Sequence, residues 1–204
     1  MVVIVLLGAA HLVGHYGGID WLRRSAKGLP VVLLVATVLG LSAPVSSPYR
    51  LLVAAALLAS LAGDLFLLSR ARFRAGLGSF LLAHVIYVLA FCSGPWATPS
   101  AWWGLLVATA AGAILAALWP HLGHERVPVA CYVGAIAGMA WTAAGRAAAE
   151  VPGGTLALGG ALTFMVSDAT LAVDRFVGRF PAAQVIVMAT YYAAQAMLAW
   201  SVAG

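Results

Sequence analysis

Two aspartates stand inside strongly apolar stretches of this chain: Asp64 in LLASLAGDLFLL and Asp168 in LTFMVSDATLAV. Each stretch is long enough to cross a bilayer, where a charged side chain costs roughly 2.5–3.5 kcal/mol on insertion scales. A transmembrane helix keeps such a residue for a partner or for a chemical task. Two aspartates at comparable positions in two stretches therefore indicate acid/base or ion chemistry within a membrane.

The composition assigns the whole chain, residues 1–204, to a single integral membrane domain. Apolar residues make up 64% and charged residues 8%, a balance outside the range of soluble domains. The net charge of +5 does not indicate nucleic-acid binding, because the basic residues lie between the apolar stretches, as membrane topology requires. Membrane lipids are therefore expected partners and nucleic acid is not, while the oligomeric state stays open.

Eight apolar stretches recur at near-regular intervals, with Gly and Pro between them. About 20 helical residues span the hydrocarbon core, and the sequence shows no alternating pattern typical of a membrane barrel. The sequence predicts an all-α, polytopic transmembrane helical bundle. Its eight helices are expected at about residues 1–19, 29–46, 49–68, 77–93, 101–119, 127–145, 154–173 and 182–203.

The basic residues predict the orientation of this bundle. The first, third, fifth and seventh loops carry nine of them, Lys27 included, whereas the even loops carry two, Arg50 and Arg146. Because cytoplasmic loops hold the excess of Lys and Arg, the odd loops are predicted to be cytoplasmic and both termini to face outward. Arginine outnumbers lysine ten to one and Ala and Gly are abundant, which is typical of a GC-rich bacterium, so a bacterial inner membrane is expected.

A weak internal repeat predicts that the two aspartates lie at the same depth. Asp64 precedes Arg70 by six residues, and Asp168 precedes Arg175 by seven. With a rise of 1.5 Å per residue, both carboxyl groups are expected roughly 9–10 Å below the cytoplasmic interface. The two segments are four apart in order and so run in the same direction, as in two four-helix halves related by an axis along the membrane normal.

Helical spacing gathers further polar residues around the aspartates. Ser60 lies four residues before Asp64, and His84 enters a neighbouring helix to a similar depth. Facing one another, these helices would enclose a polar cavity that opens toward the cytoplasmic leaflet. The residues expected to bind substrate or to support the reaction are Ser60, His84, Tyr87, Ser167, Tyr191, Tyr192 and Gln195.

Four blocks of the sequence resemble the YhhN-like family, the lysoplasmalogenases: GDLFLL, FRAGLGSFLLAHVIY, FMVSDATLAVDRF and ATYYAAQAMLA. The likeness covers about residues 50–203 and is weakest over 100–150. It implies an eight-helix membrane hydrolase that cleaves the vinyl ether bond of lysoplasmalogens to a fatty aldehyde and a glycerophospho-head group. It also implies a lysophospholipid substrate, and the family's proposed catalytic aspartates fall on Asp64 and Asp168.

Paired carboxyl groups suit this reaction. Hydrolysis of a vinyl ether begins with proton transfer to the β-carbon, water then captures the oxocarbenium ion, and the hemiacetal collapses to aldehyde and alcohol. One carboxyl has to be protonated near neutral pH, while the other, ionised, stabilises the cation or activates water. The two titrate as a coupled pair, so the sequence does not assign the acid. His84, Tyr191 or Tyr192 is expected to orient water or the glycerol hydroxyl.

Other functions stay open at this point. The aspartates could serve a metal-dependent hydrolase of the ceramidase kind, a proton- or cation-coupled transporter, a lipid-binding protein, or a structural hydrogen bond such as one from Ser60 to Asp64. His11 and His15 have metal-ligand spacing on a helix, but neither has a cysteine or carboxylate nearby in sequence, so no metal and no cofactor are expected. The head group, the chain preference and the native lipid also stay open.

Overall fold

The computed structural model describes residues 10, 13 and 17–203, with side chains for these residues other than 20–26 and 70. Most of the first predicted helix, residues 1–19, therefore lies outside the described residues, and so do His11 and His15. Within residues 17–203 every regular element is a helix. The all-α prediction is confirmed for this part of the chain.

Seven α-helices, rather than the eight predicted, follow one another in the described residues. They are α1 (Asp20–Gly40), α2 (Ser47–Phe66), α3 (Phe73–Phe91), α4 (Ala101–Leu118), α5 (Arg126–Ala148), α6 (Gly154–Ala172) and α7 (Ala183–Trp200). Five of them, α2 to α6, are long and apolar enough to cross a membrane. The apolar part of α1 is only Lys27–Gly40, and two glutamines, Gln184 and Gln195, lower the hydropathy of α7.

Local signals set the beginnings of the two helices that carry the aspartates. Ser46 caps α2, since its hydroxyl accepts a hydrogen bond from the Tyr49 amide at 3.3 Å, and Pro48 lies in the first turn. The helix α6 begins after Gly153, whose φ of +73° lies in the left-handed region that favours glycine. Asp64 and Asp168 come near the other ends of these helices, so both lie toward the same end of the bundle.

The described helices pack as a closed ring of six with one helix outside it. Around the ring the order is α1, α2, α3, α5, α6 and α7, and α7 packs against α1 again. The helix α4 packs on the outside, against α5. In this order α2 and α6 stand on opposite sides of the ring. The fold thereby turns two aspartates that are 104 positions apart in sequence toward one interior.

A buried arginine stabilises the end of the ring that lies away from the aspartates. Arg146 was assigned to a loop from the sequence, but it lies in the last turn of α5 and is 1% exposed. Its guanidinium carbon is 3.8 Å from the centroid of the Tyr49 ring, which is a cation–π contact. The Tyr49 hydroxyl in turn lies 2.7 Å from the Ser201 hydroxyl. The helix that holds Arg146 ends at Ala148, beyond the predicted end at residue 145, and its guanidinium charge is covered by the aromatic ring.

Candidate active site

A polar cavity of about 450 Å³ lies inside the ring, at the end where α2 and α6 finish. Both Asp64 and Asp168 line it, from opposite sides. The loop after α2 and the π-helical turn Val173–Val177, which follows α6, close its rim. The cavity therefore collects the carboxyl groups that the sequence singled out, at the end of the bundle that carries the basic loops.

Each oxygen of the Asp64 carboxylate has one polar neighbour. The Tyr191 hydroxyl of α7 donates a hydrogen bond of 2.6 Å to Asp64 Oδ2. The Lys27 ammonium of α1 lies 3.8 Å from Asp64 Oδ1. Asp64 itself is 2% exposed. Its neighbours are thus a hydroxyl donor and a cation, which together stabilise a negative charge at this position.

The Asp168 carboxyl has a different set of neighbours. The Tyr132 hydroxyl of α5 donates a hydrogen bond of 2.5 Å to Asp168 Oδ2. His84 Nε2, from α3, lies 3.5 Å from the same oxygen, although the geometry is not that of a hydrogen bond. No lysine or arginine forms an ion pair with Asp168 among the residues whose side chains are described. The two aspartates therefore share a cavity but lie in unlike environments.

His84 lies behind Asp168 rather than in the cavity. It is fully buried, and its ring contacts the edges or faces of two aromatic rings, with centroids 5.1 Å away at Tyr132 and 4.8 Å away at Phe164. Neither ring nitrogen has a hydrogen-bond partner among the described side chains. The imidazole is held by packing within reach of the Asp168 carboxyl.

The remaining predicted residues divide between the cavity wall and the helix packing behind it. Ser167 and Tyr191 line the cavity, and the Ser167 hydroxyl donates to the Val187 carbonyl at 3.1 Å. The others lie behind it. Tyr87 donates to Gln195 Oε1 at 2.9 Å, and the Tyr192 hydroxyl donates to the Lys27 carbonyl at 2.9 Å.

Ser60 is fully buried, and its hydroxyl has no hydrogen-bond partner among the described residues. The structure therefore does not contain the hydrogen bond from Ser60 to Asp64 that was one alternative to a catalytic role. Ser60 lies four positions before Asp64 on α2 and therefore on the same side of the helix. Asp64 instead turns inward to the hydroxyl of Tyr191 on another helix.

Sequence reasoning missed two residues of the site, Lys27 and Tyr132. Lys27 was counted with the loop charges that set topology, but α1 begins at Asp20 and carries the side chain into the bundle. Tyr132 follows Arg126 by six residues, the same interval that separates Asp64 from the next arginine. That depth signal was available in the sequence, but Tyr132 lies in the region where the family blocks are weakest.

The rim of the cavity is rich in cations. Arg175 and Arg179, which follow α6, line it together with Lys27. The Arg175 guanidinium carbon lies 4.6 Å from the centroid of the Phe73 ring. Asp174, also at the rim, accepts a hydrogen bond of 3.2 Å from the Phe180 amide through Oδ1, which fixes the turn that presents the two arginines. An anionic group is the natural ligand for this rim.

The described residues contain no group of three or more His, Cys, Asp or Glu side chains arranged to hold a metal ion. The form of metal site that the sequence left open needs His11 and His15, which lie outside the described part of the chain. Among the side chains that are described, the neighbours of the two carboxyl groups are hydroxyls, an ammonium and an imidazole. These are groups for proton transfer and charge stabilisation.

Comparison with known proteins shows that the YhhN family model matches residues 22–202. The chain belongs to the YhhN family. The match begins well before residue 50, so it extends the resemblance seen in the sequence blocks and includes Lys27. No solved structure matches this YhhN-family protein.

Several curated relatives cover most of the chain. The YhhN-family protein is 38% identical to the human protein named lysoplasmalogenase TMEM86B, over 90% of this chain and 76% of that relative. It is 34% identical to lysoplasmalogenase TMEM86A of Bos taurus, over 89% of this chain and 78% of the relative. It is also 38% identical to the uncharacterized membrane protein YhhN of Escherichia coli O157:H7, over 63% of this chain and 61% of that protein.

Proposed function

We propose that this YhhN-family protein hydrolyses the vinyl ether bond of lysoplasmalogens within the membrane, with Asp64 and Asp168 as the catalytic pair. The observation that carries the proposal is the single cavity lined by both carboxyl groups from opposite helices. It is supported by relatives that are named lysoplasmalogenases and that align over about nine tenths of the chain. The products are a fatty aldehyde and a glycerophospho-head group.

The reaction needs one acid, one base and one water molecule. A protonated carboxyl transfers its proton to the β-carbon of the vinyl ether, which leaves an oxocarbenium ion. The second carboxyl, ionised, stabilises this cation and takes a proton from the water that attacks the α-carbon, as paired carboxyls do in glycoside hydrolysis. The hemiacetal then breaks its bond to the glycerol oxygen, which receives a proton. The net change is the addition of one water molecule and the release of aldehyde and alcohol.

The rim cations suit the other end of such a substrate. A lyso-glycerophospholipid carries a phosphate close to the glycerol carbon that bears the ether. Arg175 and Arg179 line the same cavity as the aspartates, and guanidinium groups bind phosphate through charge-assisted hydrogen bonds. We assign the phosphate to this rim. The glycerol and the vinyl ether then lie further inside, between the two carboxyl groups.

In this proposal some supporting residues lie next to the two carboxyl groups, and the others pack the helices behind them. Tyr191 and Tyr132 hold Asp64 and Asp168 directly through their hydroxyls. Ser167 lines the cavity beside them, where it contacts substrate. His84 packs against Asp168 and keeps its carboxyl in place. Ser60, Tyr87, Tyr192 and Gln195 pack the helices that position these groups. No cofactor takes part in the proposed reaction.

The topology proposed from the basic loops fits this reaction. With the basic loops in the cytoplasm and both termini outside a bacterial inner membrane, the cavity would face the cytoplasmic leaflet. A lysophospholipid in that leaflet reaches the rim arginines with its head group at the interface. The alkenyl chain stays among the acyl tails.

The test uses purified protein in detergent, incubated with an alkenyl lysophosphatidylethanolamine and, separately, with its ester counterpart. We expect release of fatty aldehyde from the first and no fatty acid from the second. Asp64→Asn and Asp168→Asn should each lower aldehyde release by at least about 10³-fold while elution and thermal unfolding stay near those of the wild type. Glu125→Gln, the same kind of change outside the cavity, should keep wild-type turnover.

Full turnover in either aspartate variant would refute the assignment of the pair. Release of fatty acid instead of aldehyde would refute the ether-hydrolase proposal and indicate an esterase. The Glu125→Gln control separates loss of a carboxyl at the site from general loss of charge, because Glu125 pairs with Arg74 and neither residue lines the cavity.

A further inference from the structure

A second cavity, of about 340 Å³, lies among α3, α4, α5 and α6. All but three of its lining residues are apolar, and the exceptions are Tyr132, Asp168 and Arg175. We refer to this cavity as the apolar groove. It is bounded on its outer side by α4, the helix outside the ring, and reaches the exposed surface at Ala110 and Val166. An exposed surface at this level of a membrane protein faces acyl chains.

The apolar groove and the polar cavity are neighbours that share part of their lining. Both cavities are lined by Leu67, Phe73, Phe80, Asp168, Leu171 and Arg175. Asp64, Lys27 and Arg179 line only the polar one. Of the two carboxyl groups in the site, Asp168 alone therefore stands where the polar and apolar spaces meet.

The groove also extends beyond Asp168 toward the middle of the bundle. Its deep end is formed by Leu162, Ile136 and Ala111. Leu162 precedes Asp168 by six residues on α6, which corresponds to about 9 Å along the helix axis. This length is apolar on all sides. It fits the first part of an extended hydrocarbon chain whose polar end lies at Asp168.

We propose that the aliphatic chain of the lysolipid substrate lies in the apolar groove while its phosphate lies at the rim of the polar cavity, so that the vinyl ether carbons lie beside Asp168. This inference rests on the proposed function. It is supported by the six residues that line both cavities, Asp168 among them, by the charge of the rim, and by the exposed residues Ala110 and Val166 of the groove. The chain enters sideways from the bilayer, without leaving hydrocarbon.

This placement assigns the two roles within the pair. In a vinyl ether the β-carbon, which receives the proton, is the carbon on the chain side, and the ether oxygen lies on the glycerol side. Asp168, at the groove, therefore donates the proton to the β-carbon. Asp64, beside the Lys27 ammonium on the polar side, is the carboxylate that takes a proton from water as the water oxygen bonds to the α-carbon. One water proton replaces the proton lost by Asp168, and the other ends on the glycerol oxygen.

The first experiment fills the groove and measures chain dependence. Ala110→Phe and Ala111→Phe place a ring in the groove from α4, and Ala116→Phe is the matched control on the opposite, exposed face of that helix. Aldehyde release is measured for a hexadecenyl substrate and for a propenyl analogue with the same head group. We expect the groove variants to lower kcat/KM for the long chain at least about tenfold and to change it for the short chain less than about twofold. The control variant should match the wild type on both.

Equal losses on the long and the short substrate, or the same loss in Ala116→Phe, would overturn the placement of the chain and leave the proposed hydrolysis intact. If the wild type releases no aldehyde from either substrate, the proposed function fails. The groove is then tested alone, with an alkyl ether lysolipid that carries a diazirine on its chain. Photolabelling of residues that line the groove supports the chain site, and labelling elsewhere refutes it.

The second experiment tests the assignment of the acid. An experimental structure with a bound alkyl ether lysolipid should place the second carbon of the chain nearer to an Asp168 carboxyl oxygen than to either oxygen of Asp64. The reverse order of these two distances would overturn the assignment of Asp168 as the proton donor. The same structure shows directly whether the chain follows the groove toward Leu162.

Discussion

The ion pair between Lys27 and Asp64 lends itself to a quantitative test of how the site is held together. The change is Lys27→Met, which keeps the aliphatic stem and removes the ammonium. Asp64 is 2% exposed, so the variant leaves a buried carboxylate whose remaining described partner is the Tyr191 hydroxyl. Breaking a buried pair on one side costs about 3–5 kcal/mol, because an uncompensated charge stays behind.

Two features of the structure set the expected size of the effect. The Lys27 side chain is 11% exposed, and the ammonium lies 3.8 Å from the carboxylate, beyond hydrogen-bond distance. The polar cavity beside Asp64 is large enough to hydrate it. We therefore expect the lower end, about 3 kcal/mol. For a chain of this size that corresponds to a fall in Tm of about 6–12 °C.

The assay is thermal unfolding of detergent-solubilised protein in a double-mutant cycle with Asp64→Asn. The double variant should be more stable than Lys27→Met alone by about 2 kcal/mol, since the neutral amide no longer leaves a buried charge. A parallel cycle at Arg74 and Glu125, an ion pair whose arginine side chain is 75% exposed, should give at most about 1 kcal/mol. Additive effects at Lys27 and Asp64 would refute the reasoning, because they would mean that the two charges are not coupled.

Two further predictions test the groups next to the aspartates. Tyr132→Phe removes the 2.5 Å hydrogen bond to Asp168. Because a hydrogen bond to a charged or reacting carboxyl contributes about 1.5–3 kcal/mol, kcat for aldehyde release should fall about 10- to 100-fold with little change in KM. An unchanged kcat would contradict a positioning role for this hydroxyl. Gly63→Ala puts a methyl group 2.6 Å from the Phe80 ring, which should destabilise the fold by about 1–3 kcal/mol in thermal unfolding. The control Gly78→Ala, with nothing within 4 Å on the same bundle, should be neutral or stabilising, and equal losses in both would contradict the steric explanation.

Most of the fold could be predicted from the hydropathy of the sequence. The five helices α2 to α6 coincide with predicted segments because an apolar run of this length has one stable form in lipid. The prediction was weakest where polar residues enter a helix. Lys27 and Arg146 were both assigned to loops, yet both lie in helices, where Asp64 and the Tyr49 ring stabilise their charges. Counting charges along the sequence does not show which residue from another helix will lie next to a buried charge and stabilise it.

The sequence by itself determined that this chain is a helical membrane protein of the YhhN type and that Asp64 and Asp168 are its unusual residues. The cost of a carboxyl group in hydrocarbon makes such positions visible without any structure. Only the tertiary structure decided what surrounds each carboxyl: Lys27 and Tyr191 at Asp64, Tyr132 and His84 at Asp168. These partners come from four helices other than α2 and α6. Helical periodicity predicts which side of a helix is polar, but the neighbour that this side meets depends on the order of helices around the ring.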